Sequence, residues 1–237
     1  MPVFVLTHHK CASTWLMAYV SEIARLNDLT VSATQYGDRL PGGEADIMLL
    51  ANAEYGFVSG AVAEGLHVIR NPLDVVVSAW HSHRLTHSTD GWPELEAQRT
   101  RLQAASKAEG MALTAAFIDR PDFYAGTPGP LRAMATWDYD DPFFQTLRME
   151  DAVAGPAATV GVWLKERMRM DLLLPPDADF RFERFSGERR LGDVDDTSHY
   201  RSGRPGQWRA DLPPDLARRI AEDMRTVMER FYSQELP

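Results

Sequence analysis

The chain opens with a change of period. Val3-Phe4-Val5-Leu6 is a continuous apolar run, β-branched or aromatic at three of its four positions, and Thr7-His8-His9 ends it. A run with no polar position has both faces covered, the pattern of a buried parallel strand. Beyond Lys10-Cys11-Ala12-Ser13-Thr14 the apolar positions recur at helical spacing: Leu16, Tyr19 or Val20, Ile23 and Leu26, ending near Asn27-Asp28. Ile47-Met48-Leu49-Leu50 and His67-Val68-Ile69 predict two more buried strands, with a short helix over 61–64 between them. Asn71-Pro72 breaks the chain, and Asp74 begins a helical segment that runs to Trp80. Residues 94–120 predict a helix, 121–142 an irregular stretch rich in Pro, Gly and Asp, and Thr146–Met149 a fourth strand. Residues 157–170 and 214–232 predict helices, with a loop over 184–209 between them. The last helix carries Leu216, Ile220, Met224, Val227 and Phe231 on one stripe after Pro213-Pro214. With no repeat and no linker, residues 1–237 predict one α/β domain: a mostly parallel sheet flanked by helices, opening with a P-loop-like strand–loop–helix.

Composition narrows the partners. A balance of 44 % hydrophobic and 25 % charged residues is that of an ordinary globular protein. The net charge of −9 argues against general binding to nucleic acid or an anionic membrane, while allowing one local anion site. No apolar run approaches the ~18 residues of a membrane span. A single cysteine leaves no internal disulfide and no multi-cysteine zinc site. Without a basic leader before the first strand, the expected location is cytoplasmic.

Three segments carry candidate chemistry. His9-Lys10-Cys11-Ala12-Ser13-Thr14-Trp15 joins a strand to a helix N-terminus, where free N–H groups and the helix dipole attract anions. Lys10 adds a charge, and Ser13 and Thr14 add hydroxyls. No glycine is present and the lysine precedes the Ser-Thr pair by three positions, so this is not the ATPase P-loop. Arg70-Asn71-Pro72 through Ser78 places an arginine at the carboxyl end of a strand and a serine just over two helical turns on. Arg201-Ser202-Gly203-Arg204-Pro205-Gly206-Gln207-Trp208 lies in a stretch with six arginines and four acids between 184 and 209. Each alone has an ordinary reading: a capped helix with a solvated lysine, a surface ion pair, a surface loop.

Together, and in this order, the three segments resemble the sulfotransferases that use 3′-phosphoadenosine 5′-phosphosulfate (PAPS). His9 to Trp15 is similar to the family's 5′-phosphosulfate loop, usually Pro-Lys-Ser-Gly-Thr-Thr-Trp. Arg70 to Ser78 resembles its 3′-phosphate element, and Arg201-Ser202-Gly203 with Gly206 and Trp208 its late Arg-Lys-Gly-x-x-Gly-x-Trp segment. Phe182 to Gly187 and Met149-Glu150-Asp151 resemble further family segments. The resemblance implies transfer of a sulfuryl group, without a metal, to a small-molecule, sugar or lipid acceptor, leaving adenosine 3′,5′-bisphosphate (PAP). It implies that Lys10 contacts the bridging oxygen and sulfuryl group. Cys11 and Ala12 belong to the same loop, Ser13 and Thr14 bind the 5′-phosphate, and Trp15 lies against adenine with Phe182 as its second wall. Arg70, Ser78, Arg201, Ser202 and Gly203 form the 3′-phosphate site.

The departures are specific. The family's Ser-Gly is Cys11-Ala12 here, and its lysine after the late arginine is Ser202, for which Arg204 is a candidate substitute. The adenine-stacking tyrosine corresponds to Met149, which still packs against a ring. The family's base histidine follows the second strand, where this chain reads Leu50-Ala51-Asn52-Ala53-Glu54-Tyr55. Glu54 is therefore the first choice of general base, with His8, His9, His81 and His83 as the other candidates; His9 stands at a family proline and reads first as loop-shaping. Trp92, Phe117, Phe123, Tyr124, Trp137 and Tyr139 are expected to shape an acceptor pocket within 81–142. Zinc on His81, His83 and His87, or a cation on Asp138, Asp140 and Asp141, is outweighed by exposed histidines and a solvated acidic turn. The alternatives to an enzyme of this class are a P-loop-type kinase, for which neither a Walker loop nor a magnesium carboxylate is evident, and a catalytically inactive nucleotide-binding module.

Overall fold

β1 (Val3–Thr7), β2 (Val31–Thr34), β3 (Ile47–Leu50), β4 (Gly65–Ile69) and β5 (Phe144–Arg148) form one sheet in the order β2–β3–β1–β4–β5, every neighbour parallel. The structure is a computed structural model that describes residues 2–237. Because side chains alternate across a strand, Phe4, Leu6, Met48, Leu50 and Ile69 enter one core, while Val3, Val5, Ile47, Leu49, Leu66 and Val68 enter the other. That is why β3 is apolar throughout, and β1 and β4 nearly so, with only Thr7 and the buried His67 as polar positions. Fully burying each such side chain contributes about 1.5–3 kcal/mol.

Parallel strands need crossovers. α1 (Ser13–Leu26) carries the chain from β1 towards β2, and α2 (Tyr55–Ala61) joins β3 to β4. Between β4 and β5 lie α3 (Pro72–His81), a π-turn over Ser82–Thr86, α4 (Pro93–Ala104), α5 (Lys107–Ile118) and α6 (Pro130–Ala135). After β5 come α7 (Met149–Ala154), α8 (Val162–Met168), α9 (Phe182–Ser186), α10 (Trp208–Asp211), α11 (Pro214–Asp223) and α12 (Arg225–Phe231). The connection after β1 crosses β3 to reach β2, whereas that after β4 leads away to β5. The loops after β1 and β4 thus diverge at the carboxyl edge of adjacent strands, the crevice where open α/β sheets bind ligands.

The elements differ from expectation in several places. β2 is an edge strand with no buried position, so it has no apolar signature. The short helix expected over 61–64 is Tyr55–Ala61 instead, and Val62 is already extended. The segment 94–120 is two helices, because Ser106 and Glu109 form a capping box that restarts the chain. The irregular stretch 121–142 contains α6, started by Pro130. The fourth predicted strand is β5, shifted to 144–148, with Met149 opening α7. In 157–170 the first five residues are a π-turn and Arg169 is left-handed, so α8 is short. The last helix breaks at Met224, yet Leu216, Ile220, Met224 and Val227 remain buried on one stripe. Among the described residues, no helix is long and apolar enough to cross a membrane.

Candidate active site

The loop after β1 is folded tightly. Thr7 Oγ1 donates to Cys11 O at 2.9 Å and Cys11 N to His8 O at 3.0 Å. Lys10 (φ 66°) and Ala12 (φ 63°) are both left-handed, at roughly 1–2 kcal/mol each for a side-chain-bearing residue. Ala12 is the N-cap of α1, with no side-chain cap, so the first N–H groups of the helix are left for another partner. The left-handed cap explains the family's preference for glycine there. Ala12→Gly is expected to stabilise the fold by up to about 1 kcal/mol, read as a higher urea midpoint, since relief of the Cβ clash exceeds the added chain entropy. Cys11 is fully buried, and burial pushes its thiol up to about 12, so it packs as a small apolar group. It does not border the cavity described next.

A cavity of about 230 Å³ opens in the crevice, bordered by residues from all three motif segments: Lys10, Ala12, Ser13, Thr14 and Trp15; Arg70 and Ser78; Arg201, Ser202 and Gly203. Part of its wall is apolar, made by Trp15, Met149, Phe180, Phe182 and Phe185. Trp15 stacks on Tyr19 (centroids 5.6 Å apart, 4° between planes), and its Nε1 donates to Phe180 O at 2.9 Å, which locks the ring. Gly203 (φ 65°) passes so close to Phe182 that a Cβ would lie 2.3 Å from its ring. Only glycine lets the late loop reach this wall.

The polar part is cationic. Arg70 donates from Nη1 to Lys10 O at 3.1 Å, tying the loop after β4 to the loop after β1. Its Nε is buried with no hydrogen-bond partner. Burial, and then Arg70, lower the Lys10 ammonium to about 8. Two cations that repel each other beside an unpartnered donor favour an anionic ligand. Arg201 is held by two acids and an amide: Nε donates to Asp196 at 2.6 Å, Nη1 to Gln207 Oε1, and Asp211 lies 3.8 Å away. Ser202 is buried, and its hydroxyl accepts from Gln207. Arg204 is exposed and off the cavity wall, so it does not replace the missing lysine. Asp74, which sequence reasoning treated only as the start of a helix, is fully buried and accepts from Gly206 N at 2.6 Å and Trp208 N at 3.1 Å. It pins the late loop to α3.

The expected bases are dispersed. Glu54 is the half-buried N-cap residue of α2, and its carbonyl accepts from Phe57 and Val58; its side chain is not on the cavity wall. His8 is buried, with Nε2 2.7 Å from His67 Nε2. His81 borders the cavity beside Arg201, with Asp196 at 3.3 Å and Asp211 at 3.9 Å; burial lowers it to about 4. His83 is fully buried behind His9. The histidines that do line the cavity near Lys10 are His9, His87 and His199, the last carrying no sequence signal. Of the residues 81–142, only His81 and His87 reach the wall. Of the aromatics expected to shape an acceptor pocket, none lines this cavity: Trp92, Phe117, Phe123, Trp137 and Tyr139 are buried and Tyr124 is half-buried, with Trp92 packed on Phe123 at 4.9 Å and Trp137 stacked on His67 at 3.6 Å. The acidic turn is engaged too, since Tyr55 Oη donates to Asp141 at 2.9 Å and Arg230 to Asp140 at 2.6 Å.

No protein-family model matches this chain, and no curated protein does. Solved structures do. Mouse sulfotransferase SULT7A1 complexed with PAP superposes with a TM-score of 0.63 at 13 % identity, over 99 % of this chain and 85 % of that one. Retinol dehydratase in complex with androsterone and inactive cofactor PAP superposes with 0.58 at 14 % identity, and its complex with retinol and PAP with 0.58 at 15 %; both matches cover 97 % of this chain and 81 % of the other. The chain has the fold of the PAPS-dependent sulfotransferases: one α/β domain on a five-stranded, all-parallel sheet.

Proposed function

We propose that the protein is a PAPS-dependent sulfotransferase acting on a hydroxyl or amine of a small-molecule, sugar or lipid acceptor. The observation that carries this reading is the convergence of the three motif segments on one cavity, where Lys10 and Arg70 face each other beside the unpartnered Arg70 Nε. PAPS fits this chemistry, because it brings the sulfuryl group and a leaving phosphate whose charges the cations meet. In this reading the α1 N-terminus, Ser13 and Thr14 hold the 5′-phosphate, and Arg70, Ser78 and Arg201 hold the 3′-phosphate. Trp15, Met149 and Phe182 enclose the adenine. Arg201 exchanges its contacts with Asp196 and Asp211 for the nucleotide, and Asp74 keeps the loop in place. Lys10 is set to stabilise charge that grows on the bridging oxygen as the S–O bond breaks.

The test is differential stabilisation. At 100 times its Kd, PAP is expected to add about 2.7 kcal/mol, which for a chain of this size raises Tm by roughly 5–10 °C. Adenosine 5′-phosphate, lacking the 3′-phosphate, is expected to do far less at the same concentration. Equal shifts from the two nucleotides refute the 3′-phosphate site. An ATP-dependent activity that needs magnesium, with no response to PAP, supports a kinase instead.

A further inference from the structure

We infer that His9 is the general base of the transfer and takes the acceptor's proton at Nδ1, its tautomer set by a chain running His9–His83–Gln98. The inference rests on the sulfotransferase reading above, and it replaces Glu54, whose side chain is off the cavity wall.

The geometry has three links. His9 Nε2 lies 2.8 Å from His83 Nε2, and His83 Nδ1 lies 2.9 Å from Gln98 Oε1. His83 and Gln98 are buried, at 0 % and 5 % exposure, while His9 borders the cavity beside Lys10. An amide oxygen only accepts, so His83 carries its hydrogen on Nδ1 and offers the Nε2 lone pair. One hydrogen serves the contact between the two imidazoles, so it belongs to His9 Nε2. His9 Nδ1 is thereby left as a lone pair. A buried acceptor behind a histidine fixes its tautomer in the way an orienting carboxylate does in a catalytic triad.

The π-turn builds this arrangement. His87 N donates to Ser82 O at 2.8 Å, and the wider turn brings both His83 and His87 against His9, each with ring centroids 5.0 Å away. Arg99 reinforces the turn, donating to His83 O at 2.7 Å and to His87 O. Trp92 and Phe123 also pack against the His9 ring, which still borders the cavity. The titratable groups facing His9 are His83, Lys10, His87 and His199, with Arg99 behind; no carboxylate is among them. Burial and these neighbours hold His9 well below the usual histidine range, so it is neutral and able to accept a proton. A bound nucleotide adds negative charge at Lys10, which raises the basicity of His9 only while the donor is present.

The step balances. The acceptor oxygen forms the new bond to sulfur as its proton passes to His9 Nδ1. The bond from sulfur to the 5′-phosphate oxygen breaks, and its electron pair stays on PAP. The resulting imidazolium still donates Nε2–H to His83 and releases its proton through the cavity once the products leave. His87 and His199 also line the wall, but among the described residues neither has a ring hydrogen bond to set a tautomer.

Two measurements test this. In protein labelled with ¹⁵N-histidine, long-range proton–nitrogen correlations assigned with His9→Asn and His83→Asn should show His9 protonated on Nε2 and bare on Nδ1, and His83 protonated on Nδ1. PAP should raise the His9 pKa. Gln98→Glu, which can only accept, should keep these tautomers, and Gln98→Leu should mix them. A proton on His9 Nδ1, as a reversed Gln98 amide would impose, overturns the proposal. The second measurement runs the transfer backwards, from a series of aryl sulfates to PAP. The loss in His9→Asn should grow with the basicity of the leaving phenol, from a few-fold for p-nitrophenyl sulfate towards roughly 10²–10⁴-fold for phenyl sulfate. A loss that is the same across the series marks a structural role and refutes the base. Failure of PAP to raise Tm refutes the sulfotransferase reading itself; PAP binding with the opposite tautomer refutes only the role of His9.

Discussion

Lys10→Ala is expected to lower kcat by roughly 10²–10³-fold while weakening PAP binding by less. Lys10 lies at the turn between β1 and α1, where the nucleotide's bridging oxygen is placed under the proposed function, and its ammonium is lowered to about 8. At neutral pH it is still mostly protonated. Its interaction is weak with the intact donor, whose charge is spread, and strong with the transition state, in which charge collects on the leaving oxygen. An interaction made mainly in the transition state acts on kcat. The substitution isolates the ammonium, because alanine carries the same Cβ cost at φ 66° and leaves the loop's backbone demand unchanged. Steady-state kinetics with labelled sulfuryl donor, run beside calorimetric titration with PAP, read both quantities. A kcat within a few-fold of native removes Lys10 from the chemistry. Equal losses in kcat and affinity reduce it to a nucleotide-binding residue.

Stability is expected to collapse in mild acid, between about pH 6 and pH 4. His8, His67 and His83 are fully buried. Burial lowers His8 to about 3, and burial holds His67 and His83 well below the usual range, with His8 acting on the first and Lys10 and His87 on the second. Unfolded histidine titrates near 6.5. Below that pH the unfolded chain binds protons that the native state refuses, so their contribution to stability is complete above about 6.5 and is lost as the pH falls. Three such groups give a limiting slope of about 4 kcal/mol per pH unit, against a typical total stability of roughly 5–15 kcal/mol. Glu150 works in the opposite sense, since burial raises its carboxyl. Urea melts from pH 7.5 to 4 measure the slope. A constant midpoint from pH 7 to 4.5 means that these histidines are charged in the folded protein.

What was legible in the sequence lies where structure and chemistry are local. β1, β3 and β4 were readable because strands buried on both faces carry short continuous apolar runs, and the helical stripe of α1 follows directly from its period. The three motif segments were readable because each is a strand end or a loop of a few residues, and their order along the chain carries a resemblance that none of them carries alone. The capping box Ser106–Glu109 is legible as well, and it divides the single helix that the period of 94–120 predicts. β2 was invisible because an edge strand with half-exposed residues has no pattern to show. The aromatic residues between 92 and 139 suit a pocket wall by composition. Aromatic composition is the same for a wall and for a core, and here Trp92 and Phe123 pack against His9 while Trp137 and Tyr139 pack on His67.

By itself the sequence determined the fold class: which strands are buried, which loop carries the lysine, and that Arg70 follows a strand end. These depend on neighbours within a few residues, where periodicity and turn chemistry act. Tertiary structure decided which groups meet. Asp74 grips a loop more than 130 positions later, Arg204 turns away where a replacement charge was expected, and Glu54 stays off the wall. His9 and His83 are 74 residues apart and meet at 2.8 Å, because β1 and β4 are sheet neighbours and the π-turn after α3, whose hydrogen bond runs one residue longer than in an α-helix, lies against the loop after β1. Nothing in Ser82–Thr86 announces that turn in advance, because it follows from packing against Arg99 and the β1 loop.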